Sequence, residues 1–258
     1  MVTRFRPGAP RRSVLALAAA TLWFAVGAAA WVPVAATLGG EVARVNRSAG
    51  RSHSLILSVA LRGEGDRSIG NGELATDPRG LARLELRSSG GRVERHLLRG
   101  GEHLAASGDS LLSQPWPVLP PLFFLQVGSG DRLLSGLVSL GGSVEETVLG
   151  RHEDAVCYVL GGRDLAPAAN ASASEFGSAG RKAAVWIERD SFRIVRIDRL
   201  DGTRYLLGPE RDVGGTRLPG SIRIERPGVP PVQLEILDAR RGRFDLATTF
   251  GMDWLLGR

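Results

Sequence analysis

His96 and His103 stand seven residues apart in a stretch of short alternating runs. Two strand histidines that face each other are a possible metal pair, since neutral imidazole nitrogens are good ligands. No carboxylate or third histidine repeats at ligand spacing beside them, so they read as ordinary strand histidines, exposed or half-buried. The same holds for His53 and for His152-Glu153-Asp154. Cys157, the only cysteine, lies in the apolar run Ala155-Val156-Cys157-Tyr158-Val159-Leu160 and reads as a buried small hydrophobe. A single cysteine excludes an intrachain disulfide framework and any Cys-rich zinc or iron–sulfur site. There is no Gly-x-Ser-x-Gly elbow, no phosphate-binding Gly-Lys-Ser/Thr loop and no His-Glu-x-x-His helix. Gly177-Ser178-Ala179-Gly180 lacks the elbow spacing, and Gly63-Glu64-Gly65 lacks the third glycine of a dinucleotide fingerprint. The expectation is a binding protein, not an enzyme, with no cofactor and no metal.

The elements that must position these residues are strands. In residues 185–250, Ile222 and Ile224 alternate with Arg223 and Glu225, and Val232, Leu234 and Ile236 alternate with Gln233 and Glu235. A period of two marks strands with one buried face, so the Ile222/Ile224 face is expected inward and Arg223/Glu225 outward. Asp201-Gly202 and Pro227-Gly228 punctuate this run as turns, and Gly214-Gly215 as another. The meander continues through Leu218-Pro219 and closes near Phe244 and Phe250. Earlier, Leu55, Leu57, Val59 and Leu61 alternate, and strands follow at residues 72–76, 81–87, 93–98 and 102–106. Short strands at about ten-residue spacing with Gly turns predict a continuous antiparallel sheet, curved or closed. The class is mainly β (α+β), with a few short helices, the first over residues 37–46.

The chain carries 33 Lys and Arg against 27 Asp and Glu, a formal charge of +6. Arg4, Arg6, Arg11 and Arg12 precede an uncharged span, residues 13–40; setting them aside leaves 29 basic residues against 27 acidic. No block of Lys or Arg remains in the body of the chain, which argues against nucleic acid as a partner. A basic start, an Ala-rich apolar stretch over residues 14–30 and small residues at Ala28–Ala30 and Val34–Ala36 describe a secretory signal. Arg11-Arg12 also resembles a twin-arginine signal. The competing reading is an uncleaved anchor, because the uncharged run is long enough to span a bilayer. Both place the rest of the chain outside the cytoplasm, in the periplasm. Residues 1–36 are the expected signal or anchor, and 37–258 a single domain, expected to be a monomer.

Residues 115–125, Pro-Trp-Pro-Val-Leu-Pro-Pro-Leu-Phe-Phe-Leu, break the strand pattern. The prolines forbid a central strand and favour short helices at 122–127 and 131–140. This is the least polar stretch beyond the signal, between two groups of strands where a loop should be polar. It is either a plug packed on one sheet face or a lid over an apolar cavity. The residues placed at such a surface are Trp116, Leu122, Phe123, Phe124, Leu133 and Leu137 from the insertion. From the sheet they are Trp186, Ile194, Ile197, Tyr205, Ile222 and Ile224; each would serve equally as plain core. Residues 166–180, rich in Ala and Ser, read as a simple-composition loop.

Val185-Trp186-Ile187-Glu188-Arg189-Asp190, Ile194-Val195-Arg196-Ile197 and Gly214-Gly215-Thr216-Arg217-Leu218-Pro219 with Ile222-Arg223-Ile224 resemble the C-terminal half of LolA/LolB-like lipoprotein-sorting proteins. Gly72-Glu73-Leu74 and Gly80-Leu81-Ala82-Arg83-Leu84-Glu85-Leu86 are similar to the family's early strands. The resemblance covers residues 41–250. It implies a half-barrel around an apolar cavity with helices as a lid, and a non-catalytic carrier of lipids or acylated lipoproteins. The alternative it implies is an envelope-anchored sensor or scaffold that binds a protein partner with the same fold. The Pro-rich segment 116–121 and the Ala/Ser loop match no motif of the family, and no functional arginine of the family maps onto this chain.

Overall fold

A computed structural model describes residues 32–99, 101–162 and 182–258. The expected signal or anchor lies almost wholly outside the described residues, as does the Ala/Ser loop. Among the described residues no helix is long and apolar enough to cross a membrane.

Helix α1 (Ala35–Ser48) opens the described chain, beginning two residues before the expected start. It buries Leu38, Val42, Ala43 and Asn46, a stripe at helical spacing that must find a partner surface. Six strands follow: β1 (Leu55–Arg62), β2 (Ser68–Asp77), β3 (Leu81–Ser88), β4 (Val93–Arg99), β5 (Glu102–Ser107) and β6 (Ser110–Leu111). The apolar segment comes next, with a 3-10 turn at Leu122–Leu125, and then α2 (Gly130–Ser139). The second group is β7 (Thr147–His152), β8 (Ala155–Leu160), β9 (Ala184–Glu188), β10 (Ile194–Asp198), β11 (Arg204–Leu207), β12 (Glu210–Val213), β13 (Thr216–Pro219), β14 (Ser221–Arg226) and β15 (Val229–Arg241). Short helices α3 (Leu246–Thr249) and α4 (Met252–Leu256) end the chain.

Thirteen strands form one antiparallel sheet, curved and unclosed, in the order β6-β5-β4-β3-β2-β1-β15-β14-β11-β10-β9-β8-β7. Its seam is β1 against β15, which joins the two meanders in register Leu57↔Ala239, Val59↔Ile236 and Leu61↔Leu234. Register shifts interrupt β1/β15, β1/β2, β9/β10 and β14/β15, and such bulges bend strands and increase their twist. The shift in β14/β15 coincides with Pro230 and Pro231, which have no N–H to give to a ladder.

Two details depart from the sequence reading. Leu218-Pro219 belong to a separate two-stranded sheet, β12 with β13, which stands outside the large one. Gly208-Pro209 on one side and Gly220 on the other break the main ladder there, so the hairpin leaves and returns. Phe250 closes no strand either: β15 ends at Arg241 and the chain turns into α3, whose start Asp245 caps by accepting from the Ala247 N–H at 3.1 Å.

The sheet has buried residues on both faces. One, called inner here, carries Leu57, Leu74, Leu84, Val185, Ile197, Tyr205, Ile222 and Leu234, linked strand to strand by their register. Ile222 and Ile224 are 0% and 3% exposed, whereas the Arg223 and Glu225 side chains are 56% and 33% exposed. The expected polarity of β14 is therefore met. On the opposite, outer face, Phe250 and Leu255 from the C-terminal helices pack on Ala75, Leu97 and Ala106. The Arg83 guanidinium lies 4.8 Å from the Trp254 ring centre there.

Candidate functional site: the packed inner face

The inner face is covered by α1, the apolar segment and α2. Helices α1 and α2 approach through glycines: a Cβ at Gly39 would sit 3.0 Å from the Gly130 Cα, so neither position has room for a side chain. The segment from Val118 to Val127 lies beneath them. Val118, Leu119, Leu122, Phe123, Phe124, Leu125 and Val127 are all buried, as are Leu133 and Leu137 of α2. The Phe123 and Phe124 rings stack at 4.3 Å, and Gly136 of α2 rests on them. The apolar insertion is thus seated as a plug, occupying the side of the sheet that the sequence reading gave to a cavity.

Eleven of the twelve residues expected at an apolar surface fall in or beside this layer. Leu122, Phe123, Phe124, Leu133 and Leu137 face the sheet, and Ile197, Tyr205, Ile222 and Ile224 form its floor. Ile194 pairs with Ile187 at the bulge of β10, and Trp116 is half-buried where the segment enters. Trp186 is elsewhere. It neighbours Val185 and Ile187 in β9, so alternation turns it to the outer face, among Cys157, Val159 and Ala184. Its indole N–H donates to Asp198 Oδ2 at 2.9 Å, and the Arg196 guanidinium stands 4.4 Å from the ring centre.

Three polar tethers hold the plug. The Tyr205 hydroxyl donates to the Pro117 carbonyl at 3.2 Å, with the Leu119 carbonyl 3.5 Å away. Burial pushes the Tyr205 phenol up to about 12, so it stays a donor at any physiological pH. Asn46, at the end of the α1 stripe, donates from Nδ2 to the Phe124 carbonyl at 2.9 Å and the Val127 carbonyl at 3.2 Å. Gln126 donates to the His53 carbonyl at 2.8 Å and accepts from the Thr76 hydroxyl at 2.7 Å. These bonds satisfy backbone groups that no sheet or helix serves. Sequence reasoning named Tyr205 only as an apolar contact and missed Asn46 and Gln126. The signal for these two was a lone amide in an apolar pattern: Asn46 four residues beyond Val42, and Gln126 after Leu-Phe-Phe-Leu.

A cleft of about 630 Å³ opens beside the plug. Leu125, Ile194 and Leu207 line it together with Arg51, Arg193 and Arg223. Its three arginines are paired, Arg193 with Glu188 at 2.8 Å, Arg223 with Glu225 at 2.9 Å and Arg51 with Glu210 at 2.6 Å, and Glu153 and Asp154 add two further carboxylates. Arg51 is only 1% exposed, and its Nε has no hydrogen-bond partner among the described residues. Burial lowers its pKa, and Glu210 opposes that shift. Leu125 is the plug residue at the floor of this cleft, itself almost wholly buried.

His96 is fully buried rather than exposed or half-buried, and its Nδ1 lies 3.3 Å from His103 Nε2 on the inner face. Burial, with His96 and Arg199 adding to it, pulls His103 down to about 3, so His103 is neutral at pH 7. His103 lines a smaller cleft of about 410 Å³ with Pro115, Pro117, Arg199 and Arg226. Among the described residues no group of three or more His, Cys, Asp or Glu is placed to hold a metal ion. Cys157 is buried, and burial raises its thiol further from reactivity.

The fold and its site define a class by geometry: an open, curved antiparallel sheet whose inner face is filled by an apolar, Pro-rich plug. No family model matches the sequence, and no curated protein does. Among solved structures, the chain is similar to a LolA superfamily protein from Nitrosomonas europaea, with 13% identity, 82% of this chain and 98% of that chain covered, and a TM-score of 0.46. It is also similar to a DUF1329 family protein from Desulfovibrio piger, at 11% identity, 84% and 100% coverage and a TM-score of 0.45. A candidate outer membrane lipoprotein-sorting protein domain from Vibrio parahaemolyticus shares 11% identity over 84% of this chain and 97% of that one, with a TM-score of 0.38. The likeness is one of fold.

Proposed function

We propose that this protein is a non-catalytic periplasmic carrier or binder of a lipid or an acylated protein, and that its apolar plug yields its place to the acyl chain. The observation that carries the reading is the plug itself: ten consecutive residues, 118–127, buried on the inner face of a broad sheet and tethered, among the described residues, through the side chains of Tyr205, Asn46 and Gln126. An acyl chain of about sixteen carbons gains ~0.8 kcal/mol per CH₂ on leaving water, about 12 kcal/mol in all. Unseating the buried apolar residues Val118, Leu119, Leu122, Phe123, Phe124, Leu125 and Val127 forfeits ~1.5–3 kcal/mol each, about 10–21 kcal/mol together. The acyl term meets the lower end of that range, so cargo can exchange with the plug at a modest net cost. That balance suits a carrier that must release what it binds. The cleft at Leu125 is the mouth, where a polar head group stays in water among the charged side chains while the tail enters.

Native mass spectrometry of the exported protein and titration with a fluorescent fatty-acid probe test this reading. Co-purified acyl ligands and saturable probe binding support it; a protein that neither retains acyl ligands nor binds the probe overturns it. The second reading is an envelope-anchored sensor or scaffold, which the uncharged span of residues 13–40 favours. N-terminal sequencing separates the two: a start near Trp31 or Thr37 fits a free carrier, and an intact Met1 segment fits a tethered one.

A further inference from the structure

Strand β7 ends the large sheet, and among the described residues nothing pairs with its outer edge. The other end, β6, has only two residues, whereas β7 has six. Its turn to β8 is a two-residue loop, Glu153-Asp154, with Glu153 at a positive φ of 51°. The residues flanking such a loop, His152 and Ala155, exchange both backbone bonds, and alternation assigns the same role to Gly150 and Val148. The Gly161 N–H donating to the Glu146 carbonyl at 3.0 Å keeps that phase. The N–H and C=O groups of Thr147, Leu149 and Arg151 therefore point away from β8, a row of three donors and three acceptors on an open edge.

The side chains around this edge are unusually apolar for an exposed strand. Val148 is 36% exposed and Leu149 and Val156 are each 38% exposed. At Gly150 a Cβ would come 2.6 Å from the Trp186 ring, so the strand stays bare there and closes over the indole. Carboxylates bracket the edge: Glu145 and Glu146 precede β7, and Glu153 and Asp154 follow it, all exposed. Lys182 bonds to Glu146, which leaves the bracket acidic. Edge strands usually carry charge along their length to prevent pairing; β7 carries one exposed cation, Arg151, beside the apolar Val148 and Leu149, and the carboxylates lie outside the strand at both ends.

We propose that β7 is a docking edge for an extended segment of a partner protein, apolar at its centre and carrying Lys or Arg at both ends, which adds to the sheet as a further strand. Backbone bonds to Thr147, Leu149 and Arg151 supply the ladder, and the acidic ends set partner choice. A second copy of this chain is a poor occupant. Antiparallel self-pairing of β7 centred on Leu149 would set Glu145 opposite Glu153 of the copy, with Glu146 and Asp154 close by, and like charges across strands repel. The surface lies apart from the plug and stands whether or not the acyl-carrier reading does.

The test uses the full chain and a labelled peptide with alternating Val and Thr at its centre and paired lysines at each end. A control peptide of equal charge carries prolines at the centre and cannot form a ladder. Binding is read by fluorescence polarisation. The peptide is expected to bind saturably and the proline control at least about tenfold more weakly. Leu149→Pro, which removes one outward N–H at an edge that tolerates proline, is expected to weaken binding by about tenfold or more. The exposed double variant Glu145→Lys/Asp154→Lys is expected to do the same, and it keeps the test open if Leu149→Pro fails to fold. No saturable binding up to about 1 mM peptide overturns the proposal. Equal binding of the proline control, or undiminished binding by the charge variant, also overturns it. So does a wild-type dimer that Leu149→Pro dissociates, because a second copy would then be the occupant.

Discussion

Tyr205 of β11 and Pro117 of the insertion, 88 residues apart in sequence, meet through one buried hydrogen bond of 3.2 Å. It joins the floor of the inner face to the start of the plug, so loosening it separates the cost of plugging from the cost of folding. Tyr205→Phe keeps the ring and deletes the donor, leaving a buried carbonyl short of a partner. Stability is expected to fall by ~1–3 kcal/mol, while uptake of a fluorescent fatty-acid probe becomes faster. Chemical denaturation and stopped-flow mixing measure the two. A slower or unchanged uptake with the same loss of stability would assign Tyr205 to the core alone.

Phe124 sits at the centre of the plug and is fully buried. Phe124→Ala is expected to cost ~3–5 kcal/mol and to tighten probe binding, since part of what the acyl chain must displace is already gone. Trp186 provides the contrast. Trp186→Phe removes the bond to Asp198 on the outer face and is expected to lower stability by ~1–2 kcal/mol with no change in probe affinity. Parallel titrations of the two variants decide whether acyl binding uses the inner face.

Arg51 and Glu210 form an ion pair with both partners largely out of water, at 1% and 12% side-chain exposure. Glu210→Gln strands a buried cation and is expected to destabilise by ~3–5 kcal/mol. Replacing both, as Arg51→Met with Glu210→Leu, is expected to be neutral or stabilising, because it removes the desolvation cost along with the attraction. Urea midpoints for the two variants check this order.

His103 is held at about 3 in the fold against 6.5 for the free side chain. Its folded pKa is depressed, so between these values the unfolded chain binds more protons than the folded one. Stability is fully present above about pH 6.5 and falls as pH drops toward 3, by up to ~1.4 kcal/mol per unit. His53 and His152 are lowered too, mainly by burial, and act in the same direction. His103→Gln is expected to flatten the dependence of unfolding free energy on pH between 6.5 and 4, with urea midpoints at each pH as the readout. A slope equal to that of the unaltered protein would show that His103 takes up its proton while folded.

The sheet was legible because its signals are local. Ile222 and Ile224 against Arg223 and Glu225 record a face, and Asp201-Gly202 and Pro227-Gly228 record turns. The pairing of β1 with β15 was not legible, since nothing local tells Leu57 that Ala239 lies beside it. The β12–β13 hairpin was missed because Thr216 to Pro219 alternates like any strand and nothing local shows that the ladder is broken at Gly208 and Gly220. Hydrophobicity alone selected the twelve candidate residues, and it marks burial without marking the face, which is why Trp186 stands apart from the others on the outer side. An aromatic in a strand buried on both faces carries no sign of which side it takes, and only the register of Val185 with Ile197 resolves it. The tethers Asn46 and Gln126 are single polar residues whose meaning depends on carbonyls 78 to 81 and 73 residues away.

The central claim is that acyl cargo takes the place of the plug. Hydrogen exchange read by mass spectrometry over residues 117–127, with and without a saturating long-chain fatty acid, tests it most directly. The amides of Gln126 and Val127, which bond to the Phe123 carbonyl at 2.8 and 2.9 Å, are predicted to lose protection when the ligand binds, while β1 and β15 stay protected. Bound fatty acid with protection of residues 117–127 unchanged or increased would contradict the account.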